Sequence, residues 1–110
     1  MLELNAFKDL CETIQSRREN PEEGSYTCYL FEKGLDKILK KVGEECAETI
    51  IAAKNGDKDE ITLEVCDLIF HLMVMMNECD VPLEAITEEL SKRAQKTGNL
   101  KKMKVVDKNT

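Results

Sequence analysis

The fold is decided by residues 57–79, which read DKDEITLEVCDLIFHLMVMMNEC. At about 100° per residue on a helix, four of the acidic residues and the one histidine fall within a strip about 60° wide. Nearly everything else from Ile61 onward is apolar, so this helix should be covered by neighbours on almost all sides, with its carboxylates partly buried. The strip consists of Glu60, Glu64, Asp67, His71 and Glu78.

The sequence on either side predicts further helices. Residues 30–54 repeat apolar side chains at helical spacing and end at Asn55-Gly56, a good helix C-cap. Asp57 with Glu60 forms a capping box, so helices two and three are predicted to be an antiparallel hairpin. The other predicted elements are helix one from Leu2 to about Arg18, a loop over residues 19–27 with Pro21 and Gly24 as breakers, and helix four from Pro82 to about Arg93.

The composition indicates one small all-α domain. The chain has 110 residues, of which 42% are apolar, 35% charged and only 5% aromatic. These values exclude disorder of the whole chain and disfavour a β-sandwich or barrel. We therefore predict an antiparallel helical bundle over residues 1–93, and a basic, loosely ordered tail over residues 94–110.

Charge and hydropathy exclude several classes of function. A net charge of −6 argues against binding to a nucleic-acid backbone. The first residues do not resemble a signal peptide, and no apolar run approaches the roughly 20 residues that a membrane span needs. The five cysteines form no C-x-x-C pair, and Cys46, Cys66 and Cys79 fall on apolar stripes. We expect reduced structural thiols and a cytoplasmic location, with neither nucleic acid nor membrane as a partner.

Four carboxylates are expected to converge across the hairpin. Glu45 and Glu48 share one side of helix two and can face Glu64 and Asp67 on helix three. Buried anions repel one another unless a cation lies between them, and an all-oxygen ligand set suits Mg²⁺ or Mn²⁺. Such a metal would acidify a water molecule and neutralise phosphate charge, which is the chemistry of phosphoanhydride hydrolysis. Alternatively, the acids of helix two are a solvated face balanced by Lys37, Lys40 and Lys41.

Three other features of the sequence could serve either structure or function. His71 lies one turn after Asp67, where it can bind substrate or simply be structural. Lys37 and Lys41 can bind outer phosphates or pair with the neighbouring acids. The Met73, Met75 and Met76 cluster is interpreted as core packing.

The acidic pattern resembles that of a known family. Glu44-Glu45-x-x-Glu48, then fifteen residues, then Glu64-x-x-Asp67, is similar to the E-E-x-x-E…E-x-x-D signature of the MazG-like all-α nucleotide pyrophosphohydrolases. Residues 24–48, GSYTCYLFEKGLDKILKKVGEECAE, resemble the phosphoribosyl-ATP pyrophosphatase family of histidine biosynthesis. The likeness runs from about Leu2 to Arg93.

This resemblance implies hydrolysis of phosphoribosyl-ATP to phosphoribosyl-AMP and pyrophosphate, the second step of histidine biosynthesis, by metal-activated water. It also implies the stand-alone form of the enzyme and a homodimer or higher homo-oligomer. A second subunit is expected on physical grounds too, because helix three is apolar on more sides than its companions can cover. The implied metal ligands are Glu45, Glu48, Glu64 and Asp67, with Glu44 as the first acid of the catalytic motif and Ser25, Tyr26 and Thr27 in substrate recognition.

Three alternatives stay open at this point. Related enzymes cleave other NTPs or dNTPs with much the same acids. A non-catalytic helical interaction module would use the acidic strip as a docking surface. A carboxylate-bridged di-iron bundle is disfavoured, because the positions three after Glu45 and Glu64 are Glu48 and Asp67, not histidines.

Overall fold

The computed structural model describes residues 2–96, with side chains from residue 6 onward. All of the regular structure in this range is helical, which confirms the predicted all-α class. None of these helices is long and apolar enough to cross a membrane. The helices are α1 (Leu2–Glu19), α2 (Tyr26–Lys33), α3 (Leu35–Asn55), α4 (Lys58–Glu78) and α5 (Leu83–Ala94).

The predicted second helix, residues 30–54, is wrong at its beginning. The chain breaks at Gly34, where φ is 93° and ψ is −176°, a conformation that is essentially restricted to glycine. A separate helix, α2, precedes the break, and it starts inside the segment predicted as a loop because the Ser25 hydroxyl accepts a hydrogen bond from the Cys28 N–H. The loop is therefore shorter than predicted and spans residues 20–25.

The predicted hairpin is confirmed in α3 and α4, which pack along each other. Gly56 adopts a left-handed conformation with φ of 78°, and its N–H reaches the Ala52 and Ala53 carbonyls. Asp57 then caps α4 by accepting the N–H groups of Asp59 and Glu60. Gly56 and Asp57 alone thus reverse the chain. Residues at equal distances from this turn on α3 and α4 therefore lie at the same level of the hairpin.

The last described helix begins one residue after Pro82, as expected of a proline at a helix start. It ends at Ala94, one residue beyond the predicted end. Most of the segment predicted as a basic tail, residues 97–110, lies outside the described residues.

The hydrophobic core lies at the end of the hairpin that is far from its turn. Ile14 of α1, Leu30 of α2, Ile38 of α3 and Val74 of α4 are almost fully buried there. The methionine cluster was predicted as core, and Met73 is buried, Met75 packs against the core and Met76 is half-buried. Since α1 and α2 contribute to this end of the hairpin, the turn half receives less cover.

Apolar side chains near the turn are exposed in the single chain. Leu63 is 66% exposed and Ile50 is 69% exposed. The prediction that the helix of residues 57–79, which is α4, is covered on almost all sides is therefore wrong for the single chain. The cysteines at 46, 66 and 79 were expected to be structural thiols on apolar stripes, and all three are exposed in the single chain. All five cysteines are free thiols.

Candidate active site

The structure brings three of the four predicted metal ligands together. Carboxylate oxygens of Glu45, Glu48 and Glu64 all lie within 4.8 Å of one another. Glu45 is buried, Glu64 is half-buried and Glu48 is exposed, so the group faces solvent through Glu48. Asp67 is exposed and is not part of this group of three. Its position one turn after Glu64 on α4 nevertheless keeps its charge close to the Glu45 and Glu64 carboxyls.

The carboxyl groups within this cluster are electrostatically unfavourable. The Oε2 atoms of Glu45 and Glu64 are buried and have no hydrogen-bond partner. Burial raises the pKa of Glu45, as do a hydrogen bond with Glu48 and repulsion from Glu48 and Asp67. A hydrogen bond with Glu48, followed by burial and by repulsion from Glu48, Glu45 and Asp67, raises the pKa of Glu64. Two orphaned acceptors and two raised pKa values indicate that the site favours added positive charge.

Lysine supplies only part of that charge. The Nζ atom of Lys41 lies 3.5 Å from Glu44 Oε1 and 3.7 Å from Glu45 Oε1. Glu44 itself is exposed on α3 and is not part of the group of three. Lys37 lies one turn before Lys41 and is half-buried, with no ion pair to the residues whose side chains the structure describes. Lys41 thus contacts one oxygen of Glu45 and leaves the other unpaired.

An aromatic and histidine pair borders the acids. The His71 Nδ1 atom lies 2.7 Å from the Asp67 carbonyl oxygen, which can only accept, so Nδ1 carries a proton. In neutral His71 the Nε2 atom is then an acceptor, and the Tyr26 hydroxyl donates to it over 2.9 Å. This contact ties the start of α2 to the acid strip on α4.

The other residues predicted to recognise substrate lie next to Tyr26. Ser25 is half-buried and its hydroxyl is engaged in capping α2, while Thr27 is half-buried on the first turn. An open groove of about 870 Å³ runs along α2 and is lined by Ser25, Tyr26 and Tyr29, but by none of the four predicted metal ligands. Among the lining residues of the groove, Tyr26 is the one that is hydrogen-bonded to His71 on the acid strip.

Two residues of this region were missed in the sequence. The Phe70 ring stacks on Tyr26 with centroids 6.0 Å apart, and its place beside His71 on an apolar helix gave no sign of this role. The Thr49 hydroxyl lies 2.7 Å from the Glu45 carbonyl oxygen and 3.3 Å from that of Glu64. Its spacing of four from Glu45 was the one available signal.

Comparison with known proteins identifies the family. The family model for phosphoribosyl-ATP pyrophosphohydrolase matches residues 7–94. The chain belongs to this family. Proteins named phosphoribosyl-ATP pyrophosphatase from Clostridium novyi and Bacillus cereus are 55% and 50% identical to it. The first alignment covers 89% of each chain, and the second covers 94% of this chain and 96% of the relative. A relative of the same name from Clostridium botulinum is 56% identical over 88% of each chain.

Membership of the phosphoribosyl-ATP pyrophosphohydrolase family confirms the assignment made from residues 24–48 and from the acidic motif. The family model runs from within α1 to the end of α5 and covers α2, α3 and α4, the three helices that carry the site. The acid cluster and the Tyr26–His71 contact therefore both lie inside the matched region. The expected class of activity, hydrolysis of a phosphoanhydride, agrees with the name of the family.

Proposed function

We propose that this chain hydrolyses phosphoribosyl-ATP to phosphoribosyl-AMP and pyrophosphate in histidine biosynthesis. Water adds to phosphorus, the bond between the α- and β-phosphates breaks, and pyrophosphate leaves. The observation that carries the proposal is the group of Glu45, Glu48 and Glu64, with two buried carboxylate oxygens that have no partner. The name of the family and of its relatives supports the choice of substrate.

We further propose that the site takes Mg²⁺, or Mn²⁺ in its place. The residues fit such an ion, because the donors are all carboxylate oxygens, three of them can approach one point, and two lack any other partner. Glu45, Glu48 and Glu64 would hold the ion, and Asp67 would join them from the exposed edge. A divalent cation bound there would lower the pKa of a water molecule and offset the charge on the phosphate oxygens.

The remaining side chains would bind and orient the substrate. Lys41 lies beside the acids, where it would contact a phosphate, and Lys37 one turn away would contact the outer phosphate. Glu44 holds Lys41 over 3.5 Å, which keeps the ammonium group at the edge of the site. Tyr26, fixed by its bond to His71, presents a half-exposed ring next to the acids, where a ribose or base can pack.

Pyrophosphate release from phosphoribosyl-ATP, compared with a panel of NTPs and dNTPs, tests this function. We expect the highest kcat/KM for phosphoribosyl-ATP, and turnover that EDTA abolishes and Mg²⁺ restores. Glu48→Ala and Asp67→Ala should each reduce kcat by about 10²-fold or more. A preference for an ordinary NTP would overturn the choice of substrate, and unchanged turnover in both variants would overturn the catalytic assignment of Glu48 and Asp67. A wild-type chain that turns over none of these nucleotides would favour a non-catalytic interaction module.

We also propose that the chain acts as a homodimer that covers the turn half of the hairpin. Leu63 and Ile50 are among the most exposed large apolar side chains, and Cys46 and Cys66 are exposed beside them on α3 and α4. Light scattering should return twice the chain mass of 12.5 kDa. Cys46 and Cys66 should react slowly with a thiol reagent while exposed Cys79 reacts fast; a monomer mass with equal rates would refute the dimer.

The proposed location is the cytoplasm, in agreement with the five free thiols. A fluorescent fusion of the full chain that fractionated with membranes or outside the cell would contradict it.

A further inference from the structure

One hydroxyl group joins the two helices that carry the acids. The Thr49 Oγ1 atom lies 2.7 Å from the carbonyl oxygen of Glu45 on its own helix and 3.3 Å from that of Glu64 on α4. A hydroxyl has a single proton, so it is shared between the two acceptors, with the shorter bond to Glu45. The Thr49 hydroxyl thus links α3 to the main chain of α4, beside the side-chain hydrogen bond between Glu48 and Glu64.

The position of this link matters because of which residues it contacts. Its two acceptors are the main-chain carbonyls of Glu45 and Glu64, whose carboxylates belong to the group of three. Their negative charges lie within 4.8 Å of one another across the hairpin, and repulsion between like charges at this distance opposes the close approach of α3 and α4. A half-buried hydroxyl that attracts both main chains opposes the separation at the same level of the hairpin.

We propose that Thr49 is a positioning residue that sets the separation of the Glu45 and Glu64 carboxylates, and with it the affinity for the divalent cation. This inference rests on the metal site of the proposed function. Thr49 touches neither substrate nor cation; it acts through the main chain of both acidic residues. Partners that orient metal ligands commonly alter metal affinity by about 10- to 100-fold when they are replaced.

The chain contains a matched control for this inference. The Thr62 hydroxyl on α4 donates to the Lys58 carbonyl over 2.8 Å, which is the same bond within one helix but without an acceptor across the hairpin. Thr49→Val removes the hydroxyl and keeps the shape, and Thr49→Ser keeps the hydroxyl and removes a methyl group. Thr62→Val removes the ordinary intrahelical bond alone.

Mn²⁺ binding to the full chain without substrate, followed by electron paramagnetic resonance, is the deciding measurement. We expect Thr49→Val to raise the Kd for Mn²⁺ about tenfold, while Thr49→Ser and Thr62→Val stay within about twofold of wild type. In steady-state assays Thr49→Val should raise the Mg²⁺ concentration for half-maximal rate, with little change in KM for substrate at saturating Mg²⁺. Circular dichroism checks that each variant is folded, and Thr49→Ala replaces the valine variant if that does not fold.

The outcomes separate the two proposals. Wild-type affinity for Mn²⁺ in Thr49→Val, or equal losses in Thr49→Val and Thr49→Ser, overturns the role of Thr49 and leaves the metal site intact. A wild-type chain that binds no Mn²⁺ overturns the metal site itself, and the positioning role falls with it.

Discussion

Replacing Glu45 with glutamine should stabilise the metal-free protein and remove its response to Mg²⁺. The Glu45 side chain is 8% exposed, its Oε1 lies 3.7 Å from Lys41 Nζ, and its Oε2 has no hydrogen-bond partner. Glutamine keeps the shape of the side chain, but it replaces one oxygen with an N–H donor that can bond a neighbouring carboxylate. The change also removes one negative charge from the group with Glu48 and Glu64.

The expected magnitude follows from the unpaired oxygen. A buried acceptor without a partner costs about 1–3 kcal/mol, and because Lys41 contacts the other oxygen, the lower part, about 1–2 kcal/mol, applies here. In a domain of about this size 1 kcal/mol shifts Tm by about 4 °C, so Glu45→Gln should melt about 4–8 °C above wild type in EDTA. At 100 times its Kd, Mg²⁺ adds about 2.7 kcal/mol to wild type, or about 10 °C, and should add little to the variant.

Differential scanning fluorimetry in EDTA and in Mg²⁺, at one protein concentration, measures both effects. Glu88→Gln, at an exposed position on α5, removes the same charge away from the site and should leave the Mg²⁺ response unchanged. A Glu45→Gln variant that melts below wild type in EDTA, or that gains as much as wild type from Mg²⁺, would refute the reasoning.

Three further changes test the same structure. Because the pKa values of Glu45 and Glu64 are raised in the folded state, the free energy of unfolding in EDTA should decrease as pH rises from about 4.5 through those raised values. Urea titrations at several pH values measure this decrease, which should be weaker in Glu45→Gln. Tyr26→Phe leaves the Nε2 atom of its buried histidine partner without a donor, which should cost about 1–3 kcal/mol in urea unfolding and raise KM for substrate; an unchanged KM would remove Tyr26 from the binding site. Gly34→Ala should lower the free energy of unfolding by about 1–3 kcal/mol through backbone strain alone, since an added Cβ meets no atom within 4 Å. Gly43→Ala within α3 should raise it by about 0.5–1 kcal/mol, and equal thermal shifts in the two variants would contradict this account.

The all-α class, the hairpin and three of the acids could be predicted because each depends on short-range regularity. Residues 57–79 carry a helical period, and the caps at Gly56 and Asp57 follow from local backbone preferences. Once two helices form a tight hairpin, residues at similar distances from the turn must meet. The meeting of Glu45, Glu48 and Glu64 follows directly from that geometry.

The break between α2 and α3 could not be predicted in the same way. The apolar residues Phe31, Leu35 and Ile38 keep a helical spacing across the break, so the apolar pattern gives no sign that the helix ends at Gly34. A glycine inside a helix costs only about 1 kcal/mol, and packing decides whether the helix continues or ends. At Gly34 the tertiary structure selects the left-handed side of the backbone map.

Exposure and side-chain position were also beyond reach from the sequence. A helical wheel gives the direction of Asp67 but not its side-chain conformation, and the structure leaves Asp67 exposed beside the group of three. Cys46 and Cys66 lie on apolar stripes as predicted, yet a stripe does not reveal whether the same chain or another copy covers it. The single chain leaves both exposed.

The two-residue turn between α3 and α4 also determines which insertions into these helices keep the acids together. Glu48 lies eight residues before Gly56, or about 12 Å along the helix axis, so the group of three acids is remote from the turn. Adding two full helical turns to each arm would lengthen the hairpin and return every acid to its original face. Inserting one residue between Thr49 and Gly56 would instead rotate half of the site by about 100° relative to the other half. The segment between Glu48 and Glu64 can therefore be lengthened by whole helical turns added to both α3 and α4. A single residue inserted into one of the two helices would separate the acids.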